Sequence, residues 1–134
     1  KKKIPVMGHI GLLPQSSSSF KLKGKNPSQK KKILEDALAI SKAGVFAIVI
    51  ECVVESLAKK ITSSVKVPTI GIGASKHCDG QILVLDDMIG LSDFSPKFVK
   101  QYSNVRKIIE DSVKNYCYDV KKRKFPNSEN VYNI

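Results

Sequence analysis

Short apolar runs alternate with amphipathic stretches along most of the chain. Residues 4 to 10, IPVMGHI, are apolar and lead into a polar stretch around Pro14 and the serines 16 to 19, which predicts a strand feeding a mobile loop. Asn26 is placed to cap a helix and Pro27 suits its first position. Ile33, Leu34, Ala37, Leu38 and Ser41 then share one helical face until Gly44. Val45 to Ile50 is apolar without alternation, as in a strand covered on both faces, and it ends at Glu51. Val54, Leu57, Ala58 and Ile61 recur at helical spacing and predict a helix to about Ser64. Val67 to Gly73 predicts a third strand, with Pro68 near its beginning, where a missing ladder donor is tolerated.

Beyond it, Lys76 to Gly80 reads as a tight polar connection and Gln81 to Leu85 as a further short strand. From Pro96 the chain turns helical. Val105, Ile108, Ile109, Ser112, Val113, Tyr116, Cys117 and Val120 make one long face, so a terminal helix is expected over about 104–122. The tail from Phe125 is polar and is expected to fray, with 127–134 outside the folded part.

Strands alternating with helices predict an α/β fold with a parallel sheet. A (β/α)8 barrel needs about 250 residues, so a chain of 134 residues supplies about half of one. No repeat or linker divides the sequence, and a single domain is expected.

Composition narrows the classes. A 42% hydrophobic share supports a core and argues against wholesale disorder. No run approaches the roughly 18 apolar residues of a membrane span, and IPVMGHI is too short for a secretory h-region, so a soluble cytoplasmic protein is expected. Lys and Arg number 23 against 12 acids, a net charge of +11. All these cations except Arg106 and Arg123 are lysines, and they are scattered. Base readout favours Arg, so solvated helix faces are preferred over nucleic-acid binding. Lys30 to Lys32 and Lys121 to Lys124 are expected to be solvated and free of partners. Cys52, Cys78 and Cys117 lie at wide, irregular spacing and imply neither a disulfide framework nor a zinc ribbon.

In parallel α/β folds functional groups gather at the carboxyl ends of the strands. Four positions qualify: Met7-Gly8-His9, Glu51-Cys52, Gly71 to Ser75, and Asp86-Asp87. Glu51 follows six apolar residues, so its carboxylate loses water unless it is paired, and that favours accepting a proton. The alternative is a buried ion pair with a lysine. His9 reads either as a catalytic group or as a core or capping histidine. Gly71-x-Gly73 begins like a dinucleotide fingerprint, but Lys76 follows and no adequate helix does, so that match fails. Its glycines otherwise admit a substrate or a neighbouring side chain. Asp86-Asp87 suits a cation or, more ordinarily, a helix cap before Met88 and Ile89. In His77-Cys78-Asp79 three metal-ligating side chains are consecutive, but adjacent side chains rarely converge on one ion.

The strings MGHIGLLPQS (7–16), LEDALAISKAGVFAIVIECV (34–53), VPTIGIGAS (67–75), CDGQILVL (78–85) and PKFVKQY (96–102), in this order, closely resemble the ketopantoate hydroxymethyltransferase family. The resemblance covers residues 4 to about 126. It implies the C-terminal half of a (β/α)8 TIM barrel of the phosphoenolpyruvate/pyruvate type. It also implies hydroxymethyl transfer from 5,10-methylenetetrahydrofolate to 3-methyl-2-oxobutanoate, giving ketopantoate, with magnesium as cofactor, in homo-oligomers that are decamers in the family. By the same resemblance Glu51 is the proton acceptor, and Gly8 and His9 lie by the substrate.

The family's magnesium-binding acids, and the serine and lysine that hold the keto acid, correspond to a segment upstream of the one represented here, so this chain inherits no metal ligand. Barrel closure would need that N-terminal half, and the chain by itself is expected to be inactive. Between Gln15 and Gly24 the sequence is shorter than the family pattern, with Ser18-Ser19-Phe20 where Gly-Gly-Tyr is usual. Val54 stands in place of proline, and Ser75 in place of glycine. The alternative function is a noncatalytic basic module that keeps the fold and binds nucleic acid or a protein partner. Salt separates the two, because nucleic-acid affinity falls steeply with ionic strength.

Overall fold

A computed structural model describes residues 4–13 and 21–132. The chain divides into two compact units, Lys1–Leu83 and Val84–Ile134, where the sequence suggested one undivided domain. The loop expected around Pro14 and the serines lies outside the described residues.

The first unit runs β1 (Met7–Gly11), α1 (Pro27–Lys42), β2 (Ala47–Glu51), α2 (Glu55–Ser64), β3 (Thr69–Ile72) and β4 (Gly80–Gln81). All pairings are parallel and the spatial order is β1-β2-β3-β4. The sheet is therefore α/β and singly wound, without the reversal of strand order that marks a doubly wound sheet. This is the order of consecutive barrel strands.

Local chemistry explains the boundaries. Asn26 accepts a hydrogen bond from the Gln29 amide at 2.9 Å, Pro27 occupies the first turn, and Gly44 ends α1 in the left-handed region with φ of 90°. Pro68 precedes β3 and contributes its carbonyl to the Ile48 amide at 2.9 Å, so the missing N–H costs nothing there. The first two strands begin later than the apolar runs do. Val45 and Phe46 belong to the approach to β2, and Phe46 already donates to the Val6 carbonyl at 3.0 Å.

The expected strand over 81–85 is a correction. Only Gly80 and Gln81 pair with β3, Ile82 adds one hydrogen bond to the Gly71 carbonyl at 3.0 Å, and by Leu85 the backbone is helical.

Alternation along the strands sorts the residues between two faces. Gly8, Ile10, Ile48, Ile50 and Thr69 lie toward the helices. There Ile10, Ile48 and Ile50 pack with Ala37 of α1 and Leu57, Ala58 and Ile61 of α2. Met7, His9, Val49, Glu51 and Ile70 lie on the opposite face, which is less covered.

The second unit holds α3 (Leu85–Met88), α4 (Val105–Lys121) and a 3-10 turn (Ser128–Asn130). Asp86 and Asp87 occupy the first turn of α3 rather than capping it, and the Asp86 carbonyl accepts from the Leu91 amide at 2.8 Å. Asn104 caps α4 through the Lys107 amide at 3.0 Å. The apolar face expected on α4 exists but is not covered: Ile108, Ile109, Val113, Tyr116 and Val120 are all exposed, and the helix buries no residue.

The tail does not fray at Phe125. Its ring meets Tyr116 edge-on at 5.5 Å, and Asn127 with Asn130 forms a capping box around the 3-10 turn. Among the described residues no helix is long and apolar enough to cross a membrane.

Candidate active site

The carboxyl ends of β1 and β2 bring two of the sequence-predicted residues together. His9 is in register with Val49, so Glu51 lies diagonally across, two residues further along β2 and on the same face. His9 Nε2 is 3.1 Å from Glu51 Oε2, with the two side chains 33% and 13% exposed. Among the described residues Glu51 is therefore partnered by an imidazole and not by the lysine that the ion-pair alternative required. A carboxylate so shielded, beside a group that donates to it or takes a proton from it, is equipped for general acid-base work.

The backbone around Glu51 is tightly fixed. Its carbonyl accepts the Leu12 amide at 2.9 Å. Cys52 next to it is left-handed, with φ of 49°, which is uncommon for a residue with a side chain. The Cys52 amide donates to the Ile72 carbonyl at 3.0 Å, and its carbonyl accepts from Lys23 at 2.7 Å. Val54 in turn donates to the Lys23 carbonyl at 3.1 Å. Burial pushes the Cys52 thiol above its ordinary range, and the Glu51 charge adds to the effect.

Gly8 is not brought to this pair. It lies on the helix-covered face, where a Cβ would stand 2.7 Å from Ile40 Cδ1, so its lack of a side chain seats α1 against β1. A groove of about 520 Å³ beside β1 is lined by His9, Gly11, Leu13, Lys23, Ile33 and Ile40, among others. Glu51 is not among its walls, so the groove borders the pair through His9.

A second polar cluster was not anticipated. The Ser75 hydroxyl, 3% exposed, donates to Glu55 Oε1 at 3.0 Å and accepts from the His77 amide at 3.1 Å. Gln81 Nε2 donates to the Ser75 carbonyl at 2.8 Å, and His77 Nε2 is 3.9 Å from the same Glu55 oxygen. Ser75 is among the strand-end positions read from the sequence, and it departs from the glycine that the resemblance implies, but neither signal points to Glu55.

The run His77-Cys78-Asp79 disperses to three partners. His77 faces Glu55, the Cys78 thiol accepts from Thr62 at 3.8 Å, and Asp79 Oδ2 accepts from the Thr69 amide at 2.8 Å and the Thr69 hydroxyl at 2.9 Å. The Thr69 amide first, and its hydroxyl second, hold the Asp79 carboxyl below the usual carboxylate range. Gly71 fits the second of its two sequence readings: the Gln81 amide fills the space a side chain would take, 2.9 Å from a built Cβ.

The lysine tracts need one correction. Lys31 and Lys32 pair with Glu35 and Asp36 one helical turn on, at 3.9 and 3.5 Å, and Lys124 lies 5.2 Å from the Tyr118 ring centroid. Helical spacing and a neighbouring ring supply partners that a composition argument does not reveal.

Residues 1–128 match the family model described as Ketopantoate hydroxymethyltransferase. A 3-methyl-2-oxobutanoate hydroxymethyltransferase of Pelagibacter ubique (strain HTCC1062) is 57% identical over 132 residues, covering 98% of this chain and 51% of the relative. Proteins of the same name from Clostridium botulinum (strain Langeland / NCTC 10281 / Type F) and Phenylobacterium zucineum (strain HLK1) are 51% and 52% identical, over 100% and 98% of this chain. They are covered over 50% and 49% of their own lengths, so the chain spans about half the length of the curated relatives it matches.

Proposed function

Because the chain belongs to the ketopantoate hydroxymethyltransferase family, a family of TIM-barrel type, we propose that it supplies the base-bearing half of that barrel. In this reading Glu51 removes the C3 proton of 3-methyl-2-oxobutanoate. The enolate carbon then bonds to the one-carbon unit of 5,10-methylenetetrahydrofolate, water supplies the hydroxyl oxygen, and tetrahydrofolate leaves with ketopantoate as product. The observation that carries the reading is the 3.1 Å contact between His9 Nε2 and a largely shielded Glu51 carboxylate at the strand ends. Through that contact His9 orients Glu51, and it borders the groove beside β1 from which a substrate would approach.

Magnesium enters only through the family. Among the described residues no three His, Cys, Asp or Glu side chains converge as a metal site, and His9 and Glu51 face each other. The described residues do not fit a magnesium centre, and no step is assigned to the metal. This chain's share of the chemistry is the proton transfer.

The sheet supports a partner reading. Among the described residues β1 and β4 are the lateral strands, and a barrel leaves no lateral strand unpaired. The occupant proposed for those edges is the other half of a family barrel, within a homo-oligomer. The three free cysteines fit a reducing cytoplasm.

The test combines the chain with the remaining half of the Pelagibacter ubique relative and follows deuterium exchange at C3 by NMR, without folate. Glu51→Gln keeps the shape and removes the base. Exchange should fall by about 10² to 10⁴, the usual contribution of a positioned base. Exchange at the parent rate would transfer the proton step to another group, with His9 the first to examine.

A further inference from the structure

We propose that Ser75 and Glu55 form a latch that positions Glu51 by closing the turn between β2 and α2, an inference that rests on the reading of Glu51 as the base. The turn runs through Cys52, Val53 and Val54. Its first residue is held in the left-handed region, and Val54 has φ of −55°, the value that a proline ring would fix. Valine fixes nothing at that position, so the unfolded turn has more freedom to lose. Valine also keeps an amide, which donates to the Lys23 carbonyl at 3.1 Å.

Immediately after the turn, Glu55 opens α2 and accepts the Ser75 hydroxyl. Ser75 is buried, and it is anchored to its own loop by the His77 amide and by Gln81. The link therefore ties the start of α2 to the segment leaving β3. The other end of the turn is tied to the same strand, since the Cys52 amide donates to the Ile72 carbonyl. A turn fixed at one end to β3 and at the other to the segment leaving it holds the Glu51 backbone where the carboxylate meets His9 at 3.1 Å.

The substitutions are mild. The Glu55 side chain is 56% exposed, so truncating it opens no cavity. Glu55→Ala and Glu55→Gln both remove the first-turn charge that favours α2, but only Gln keeps an acceptor for Ser75, so their difference reports the latch and not the helix dipole. Ser75→Gly removes the link from the other side.

The experiment is NMR on the 134-residue chain. Amide exchange is read at Cys52 and Val54 against Ile48 in the sheet, and three-bond couplings to Glu51 Cγ report its rotamer. In Ser75→Gly and Glu55→Ala, exchange at Cys52 and Val54 should quicken about tenfold, the scale of one hydrogen bond. Ile48 should barely change and the Glu51 couplings should average, while Glu55→Gln stays like the parent. Unchanged couplings in Ser75→Gly and Glu55→Ala would overturn the latch, and so would losses that appear equally at Ile48. Neither result bears on whether Glu51 is the base, which the C3 exchange measurement decides separately.

Discussion

Gly11 makes room for the main chain of Glu51. A Cβ built on Gly11 would collide with the Glu51 carbonyl oxygen and would also stand 2.6 Å from Val53 Cγ2. Gly11 has φ of 94°, and the Leu12 amide that follows binds that same carbonyl. Space and conformation therefore impose glycine together where β1 ends beside the candidate base. Gly11→Ala should cost about 2 kcal/mol or more, from the left-handed backbone and the displaced carbonyl. Urea unfolding checks this, and an unchanged midpoint would show that the strand end relaxes freely.

Asp79 extends the two-residue pairing of β3 with β4 by holding the amide and hydroxyl of fully buried Thr69. Asp79→Ala should cost about 1–3 kcal/mol, because those buried donors lose their acceptor. The carboxyl is depressed in the folded state, so its contribution is complete above the ordinary value of about 3.9 and is lost as pH falls through the lower folded value. The acid effect is modest, since the carboxyl is solvent-exposed. Unfolding midpoints between pH 7 and pH 2 should slope downward at the acid end in the parent and less so in Asp79→Asn.

The cysteines should react in a fixed order. Cys117 is exposed on α4, whereas Cys52 and Cys78 are buried, and Cys52 is further held as the thiol by burial and by the Glu51 charge. Timed alkylation at neutral pH, read by mass spectrometry, should label Cys117 first and Cys52 only in alkaline solution. Rapid labelling of Cys52 at neutral pH would mean that the turn opens.

On its own the 134-residue polypeptide should catalyse no measurable transfer when given magnesium, keto acid and methylenetetrahydrofolate. Addition of the complementary half of the Pelagibacter ubique relative should restore it. Turnover by the polypeptide alone would show that this half holds every essential group.

Hydrophobic patterning made β1, β2, β3, α1, α2 and α4 readable; packing into the core enforces it in the first unit, whereas on α4 the same helical period stands exposed. Gln81 to Leu85 misled: an apolar run that short fits a strand or a helix start equally, and only Gln81 of it pairs with β3 while Leu85 opens α3. Glu51 was legible because a carboxylate at the end of an apolar strand is anomalous in any fold. Its pairing with His9 was not, since that contact depends on strand register, which no local pattern specifies. Ser75 and Glu55 lie twenty positions apart, and neither is unusual until the sheet brings β3 beside β2.

The left-handed conformation of Cys52 narrows what this codon can tolerate. Glycine and asparagine enter that region most readily, but the position is buried, and an amide there would need partners that the turn has already committed elsewhere. Valine, isoleucine and threonine are excluded by branching at Cβ. What remains is a small set of compact side chains, so a saturation library at residue 52 should be depleted far more severely than the residue's modest size suggests, with survivors confined to cysteine, glycine and alanine.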